Sequence, residues 1–388
     1  MTMLYNQGGA TGSIDKQTGS SQIRESYFDK QALIEARQEQ YFMPAADVTS
    51  MPRNHGKKLE RYLIYPLIDD RNKNDEGLNA TGAVITNGNL YGNSKDIGTI
   101  PNNMPYLREQ GGRVNRVGFS RKRLSGTIQN LGFFFEFSRD SLNFDTQDDL
   151  LMHLNREAIN GATKLSEDLL QMDLLNAAGT IRYTGTATSN ATVADVVTYQ
   201  DLMRLSIDLD NNRTPKQTKI ITGTRYIDTR VIPACRIMFV GSEMIPTLRA
   251  MKDLHNNPAF IPVQQYAAGT QVMNGEIGSI DMFRIICVPN MMNWSGVGAA
   301  TAPGFYAANG KKNVYPMLVV GDDSFTVLSF LTDGKKPNYE KIIKNAGPET
   351  ATTAEPYGKI GFCSIQWWYG FAAWRSERIA VIKTAAKM

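Results

Sequence analysis

Residue types that carry out chemistry are spread thinly along this chain. Its three cysteines, Cys235, Cys287 and Cys363, stand far apart in apolar runs. That suits buried, reduced thiols and argues against a disulfide framework. His55, His153 and His255 are equally dispersed. No C-x-x-C, H-E-x-x-H or H-x-x-x-H spacing is present, so zinc has no support. The G-x-S-x-G elbow, the G-x-x-x-x-G-K-[ST] phosphate loop and a G-x-G-x-x-G following a strand are also absent. Asp322 and Asp323 follow an apolar run, a place where enzymes set carboxylates, and Asp69 and Asp70 are similar. Gly and Asp dominate turns, and a solvated turn accounts for all four. His153 has no carboxylate or cysteine partner motif and reads as a hydrogen-bonded structural histidine. Trp367, Trp368, Tyr369, Phe371 and Trp374 could stack on bases or sugars. Stacking platforms interleave with basic residues, however, and here the flanks are Gly, Ala, Ile and Cys, so a packed strand is expected. The sequence thus predicts no catalytic residue, no cofactor and no metal.

The most informative cluster is basic: Arg108, Arg113, Arg116, Arg121, Lys122 and Arg123, opposed only by Glu109. Three readings are open. It is a solvated loop, it meets acidic surface on a neighbouring subunit, or it meets a nucleic-acid backbone. The neighbour is preferred to nucleic acid, because 42 basic residues against 38 acidic ones leave a net charge of only +4. A dedicated nucleic-acid binder carries a larger excess.

The elements that would position these residues follow from composition and pattern. At 388 residues the chain exceeds one ordinary core. Hydrophobic residues at 42% and charged ones at 21% exclude wholesale disorder. Residues 1 to about 22 are polar, rich in Gly, Ser and Thr, and show no periodicity, which predicts a flexible arm and no secretory signal. No apolar run is long enough to span a bilayer as a helix, and a cytoplasmic place of synthesis is expected. A short helix is predicted over Ser26–Tyr41, and a strand over Lys57–Leu67 from its alternation. Residues 69–126 are dense in Gly and Asn with no helical stripe, the pattern of an extended loop or hairpin that becomes ordered against a neighbour.

A long helix is predicted over Gln147–Ala178, with Thr146 as its cap and Gly179 as its stop. Leu151, Leu154, Ala158, Ala162, Leu165, Leu169 and Met172 form its apolar stripe. Leu165 sits in the middle of that stripe, so Leu165→Asp is expected to give insoluble protein. After a linker, strands and helices alternate from Thr198 to Thr332: a helix over Tyr199–Asn211, and strands over Ile237–Gly241, Met282–Pro289 and Pro316–Gly321. A helix from Ser242 to about Lys252 lies among them. Two strands, Gly361–Trp374 and Arg378–Lys383, close the sequence.

Taken in order, these parts resemble the Hong Kong 97-type capsid fold, an α+β architecture. Several stretches are similar to the N-four-like family of major capsid proteins. They are the strand after Gly56-Lys57-Lys58, the run Gly275–Ile280 with Phe283–Ile286, the turn Val319–Phe325, and Trp368-Tyr369-Gly370. The resemblance covers nearly the whole chain and implies the following division. An arm and short helix occupy 1–55. A peripheral domain with the spine helix takes 56–68 and 127–195, the extended loop 69–126, an axial domain 196–350, and C-terminal strands returning to the peripheral domain 351–388. It also implies an icosahedral shell of hexamers and pentamers, made in the bacterial host cytoplasm. Such a shell encloses double-stranded DNA, contacts a portal, uses scaffolding or decoration proteins in some cases, and has no membrane. Under this reading the six basic residues belong to a subunit interface. Two alternatives differ in kind: an encapsulin-like nanocompartment on the same fold, holding enzyme cargo, and a cytoplasmic α/β enzyme acting near Asp322 and Asp323.

Overall fold

The computed structural model describes residues 40–64 except 53 and 55, 121–144, 150–222, 228–232, 235–267, 272–330, and 339–388 except 354. Isolated positions at 16–17, 20–21, 77–78, 84–85 and 97 are also described. The chain divides into two compact units. One holds Phe135–Asn160 and Ile343–Cys363; the other holds Glu39–Phe134, Gly161–Ile342 and Ser364–Met388.

Thirteen strands build the two principal sheets. In chain order they are β1 (Asp47–Met51), β2 (Lys58–Ile64), β3 (Arg121–Ser138), β4 (Thr180–Tyr183), β5 (Arg236–Gly241), β6 (Ile261–Pro262) and β7 (Glu276–Ile280). They continue as β8 (Phe283–Val288), β9 (Tyr315–Val320), β10 (Phe325–Phe330), β11 (Glu340–Lys344), β12 (Ile360–Ala373) and β13 (Ile379–Thr384). The helices used below are α1 (Arg139–Phe144), α2 (Leu150–Ala177), α3 (Tyr199–Asn211) and α4 (Ile245–Arg249). No described helix is long and apolar enough to cross a membrane.

A seven-stranded sheet runs β6-β7-β8-β5-β9-β13-β4. β5 lies parallel to β8 and antiparallel to β9, β9 antiparallel to β13, and β13 parallel to β4. Every residue of β5 and β9 is buried, as continuous apolar runs covered on both faces require. Side chains alternate between faces. Ile237 and Phe239 enter one core with Leu170 and Leu174 of α2. Met238 and Val240 enter the other, with Leu202, Leu205 and Leu209 of α3 and Leu248 of α4. Thr198 starts α3: its hydroxyl accepts from Asp201 N, while the Asp201 carboxylate accepts from Thr198 N at 3.1 Å. That reciprocal pair satisfies two otherwise orphaned amides.

The six-stranded sheet runs β1-β10-β12-β3-β2, with β11 also paired to β12. Trp367 on β12 is 1% exposed, in edge contact with the rings of Phe133 and Tyr339. The aromatic run is therefore a packed strand. Gly370 matters to the packing of β12: a Cβ there would lie 2.5 Å from the Thr127 carbonyl oxygen. In the smaller unit, Arg139 N donates to Lys359 O at 2.7 Å, and Cys363 Sγ lies 3.3 Å from Asn155 Oδ1.

Several expectations need restating. The buried face of α2 is Ala158, Ala162, Leu170 and Leu174, with Glu167 and Gln171 beside them. Leu165 is 43% and Met172 42% exposed. The apolar pattern points to a different line on the same helix, because Glu and Gln occupy part of the buried one. Gly179 is not in the left-handed region expected of a helix stop. It donates to Ser376 O at 2.9 Å, and a Cβ would strike that same oxygen. Residues 121–126, assigned to the extended loop by composition, begin β3. β10 belongs to the six-stranded sheet, although the surrounding sequence reads as axial. The terminal strands separate: β12 joins β3, while β13 sits between β9 and β4. The predicted helix from Ser242 is a short 3-10 turn and α4, ending at Arg249. Of the helix expected over Ser26–Tyr41, residues 40 and 41 are described and are not helical; its remainder, the cap Thr146 and most of 69–120 lie outside the described residues.

Candidate assembly surface

The described part of the basic cluster stands in a ladder. The antiparallel register sets Ile64 opposite Arg121, Leu63 opposite Lys122 and Tyr62 opposite Arg123. Directly opposed residues share a face, as do residues two apart. Arg121 and Arg123 therefore project with Tyr62 and Glu60. Arg123 pairs with Glu60, which Lys58 also meets at 3.1 Å. These two cations hold the Glu60 carboxyl below its usual range, and Glu60 in turn raises the Arg123 guanidinium. The Arg121 guanidinium lies 4.7 Å from the Tyr62 ring centroid. The whole strip is open to solvent: Tyr62 is 56% and Ile64 61% exposed. Exposed ion pairs contribute little to folding. What the strip offers is a cationic, partly apolar edge. Arg108, Arg113 and Arg116 lie outside the described residues.

The opposite face of β2 is structural. The Arg61 guanidinium lies 4.8 Å from the Trp374 centroid and donates to Thr49 Oγ1 at 3.4 Å. Trp374 Nε1 donates to Thr326 Oγ1 at 2.5 Å. Arg61, Thr326 and Trp374 line an open cleft of about 240 Å³ that also touches Asp47 and Asp323. Asp322 and Asp323 form the β9–β10 turn, and Arg378 donates to Asp322 O at 2.9 Å. Among the described residues no group of three or more His, Cys, Asp or Glu side chains could hold a metal ion.

Sequence reasoning missed the anchor of the segment that leads into β1. Glu167 Oε1 accepts from Tyr41 N at 2.7 Å and Phe42 N at 2.5 Å. Phe42 is 1% exposed, its ring 4.7 Å from that of Phe239. Burial pushes the Glu167 carboxyl up to about 7; the backbone donors pull it down and Asp168 pushes it further up. Nearby, Asp173 accepts from Tyr369 Oη at 2.7 Å, and burial raises both groups. The signal for Glu167 was a carboxylate three residues before Leu170, legible only once the buried face of α2 is known.

The described residues thus form a two-sheet α+β chain with a long helix and exposed apolar and cationic strips. Solved structures agree at the level of fold. The capsid of Ralstonia phage GP4 superposes with a TM-score of 0.61 at 14% identity, over 96% of this chain and 98% of that one. The capsid asymmetric unit of cyanophage Pam1 gives 0.54 at 11%, over 96% and 99%. A sequence profile described as phage capsid protein matches residues 122–384, and the chain belongs to that family. It is 53% identical to the major capsid protein of Pseudomonas phage KPP21, over 99% of this chain and 97% of that one. It is accordingly a structural protein and not an enzyme.

Proposed function

We propose that this chain self-assembles, as hexamers and pentamers on the Hong Kong 97-type fold, into the icosahedral shell of a tailed phage. That shell encloses double-stranded DNA, is assembled in the host cytoplasm and contacts a portal. The observation that carries the reading is the 53% identity spanning both chains almost end to end. Exposed apolar side chains support it: Leu165 and Met172 on α2, and Tyr62, Ile64 and Phe134 on the strands. Closed assemblies need such complementary patches on every copy. In this reading Arg108, Arg113, Arg116, Arg121, Lys122 and Arg123 meet a neighbouring subunit, and long-range attraction sets their register. The test is sedimentation and electron microscopy of the purified chain across salt and concentration. Capsomers or closed shells are expected; monomer under every condition would overturn the proposal.

A further inference from the structure

One corner of the seven-stranded sheet gathers cations that the assembly reading does not use. Three chain segments meet there: 184–198, 290–314 and 383–388. Ala299 N donates to Val193 O at 3.0 Å, Ala385 N to Asp195 O at 3.2 Å and Tyr306 N to Ala386 O at 3.2 Å. Phe305 bridges Lys387. These segments carry Lys311, Lys312, Lys383 and Lys387 against a single acidic side chain, Asp195. The local excess is three positive charges in a chain whose net charge is +4. Asp195 is turned toward Gly185.

The lysines are arranged around aromatic rings. Lys383 Nζ lies 4.3 Å from the Trp294 centroid and 5.6 Å from that of Tyr183. Lys312 Nζ lies 3.7 Å and Lys387 Nζ 5.7 Å from the Phe305 centroid. Lys312 is buried and fixed by donating to Ala194 O at 2.6 Å. Lys311 and Lys387 are exposed and Lys383 half-buried. Burial pulls the Lys383 ammonium below its usual range, with no carboxylate offsetting it. Ring faces attract cations but do not neutralise them, so the corner keeps its charge.

We propose that this corner binds the phosphate backbone of nucleic acid and that, in the assembled shell, it holds the packaged DNA. The second clause rests on the shell reading above; the first does not. The chemistry favours phosphate over a neighbour's carboxylates. Every cation here is a lysine, a point charge that phosphate oxygens can approach from any side, and a duplex backbone presents those oxygens at a density few protein surfaces match, about one charge per 1.7 Å of its axis. The rings already lie under ammonium groups, which leaves backbone contact and no base stacking. Binding is therefore independent of sequence.

The experiment measures binding of a duplex DNA of about 30 base pairs, and of poly-glutamate, to the purified subunit and to its Lys311→Gln/Lys383→Gln/Lys387→Gln variant across salt. The double variant Lys311→Gln/Lys387→Gln, at exposed positions only, serves if the triple variant fails to fold. Expected is about a tenfold or greater loss of DNA affinity, with the log–log salt slope shallower by about 0.9 per lost phosphate contact. Poly-glutamate should bind weakly before and after. Variant shells should form normally and retain less DNA. Unchanged DNA binding would overturn the proposal. An equal loss of poly-glutamate binding would reassign the corner to acidic protein surface. A variant that folds but no longer assembles would make it a contact between copies. If the wild-type chain forms no shell at all, the shell reading fails, while the subunit binding data still decide the phosphate site.

Discussion

Glu167→Gln isolates one buried carboxyl whose titration opposes folding. In the folded chain its value is about 7, against 4.5 in an ordinary environment. The group is almost fully buried, so the difference is felt as stability, at roughly 1.4 kcal/mol for each tenfold change in proton affinity. Raising the carboxyl this far therefore amounts to about 3 kcal/mol, as an order of magnitude. The folded value is the higher one, so the folded state binds the extra proton. The stabilisation is fully present below pH 4.5 and lost as pH rises through about 7. Above that, folding must hold a charged carboxylate inside the core. Gln keeps an oxygen that can accept from Tyr41 N and Phe42 N and removes the titration. Denaturant midpoints of the isolated subunit between about pH 4 and pH 8.5 give the measurement. Asp168 and Asp173 are also raised by burial and act in both proteins, so the difference between the two curves belongs to Glu167. The variant should be nearly level with wild type at about pH 4.5 and more stable by up to about 3 kcal/mol at about pH 8. Parallel curves, or a variant less stable at the alkaline end, would refute the reasoning.

Two other perturbations separate fold from assembly. Leu174→Ala, at a site 0% exposed, should cost the subunit about 2–5 kcal/mol, whereas Leu165→Asp should leave a soluble subunit with normal unfolding and reduced shell yield; insoluble Leu165→Asp protein would place that side chain in the core after all. Reversing Arg121, Lys122 and Arg123 to glutamate should shift unfolding little and block assembly through like-charge repulsion; normal empty shells from that variant would remove the strip from the interface.

The sequence was most legible where one physical signal dominated. Apolar runs bounded by Gly and Pro located β5, β8 and β9 within a residue or so, and the helix expected over Tyr199–Asn211 is α3. It was least legible where polar side chains lie inside. Glu167 and Gln171 interrupt the buried line of α2, and hydrophobicity alone shifted the predicted stripe onto Leu165 and Met172. Sheet membership was not readable either. Nothing local distinguishes β12 from β13, because their partners are set by long-range register, and the Gly/Asn texture before β3 ran on into a strand whose first residues are solvated cations. Of the candidate strip, three of six basic residues could be placed. The lysine corner escaped notice because its members are far apart in sequence and converge only through β13.

That same strand imposes a timetable on synthesis. β4 pairs with β13 alone among the described strands, with Thr180 opposite Ala380. A ribosome adding about 5–20 residues per second needs roughly 10–40 s to make the intervening stretch. Throughout that interval the nascent chain carries β4 without its neighbour, and over the last part of it, from Val320 to Ile379, β9 lacks one flank as well. Unpaired strand edges are prone to wrong pairings, and a cell making many copies at once has many such edges. The seven-stranded sheet closes only when β13 slots between β9 and β4, so it is completed late.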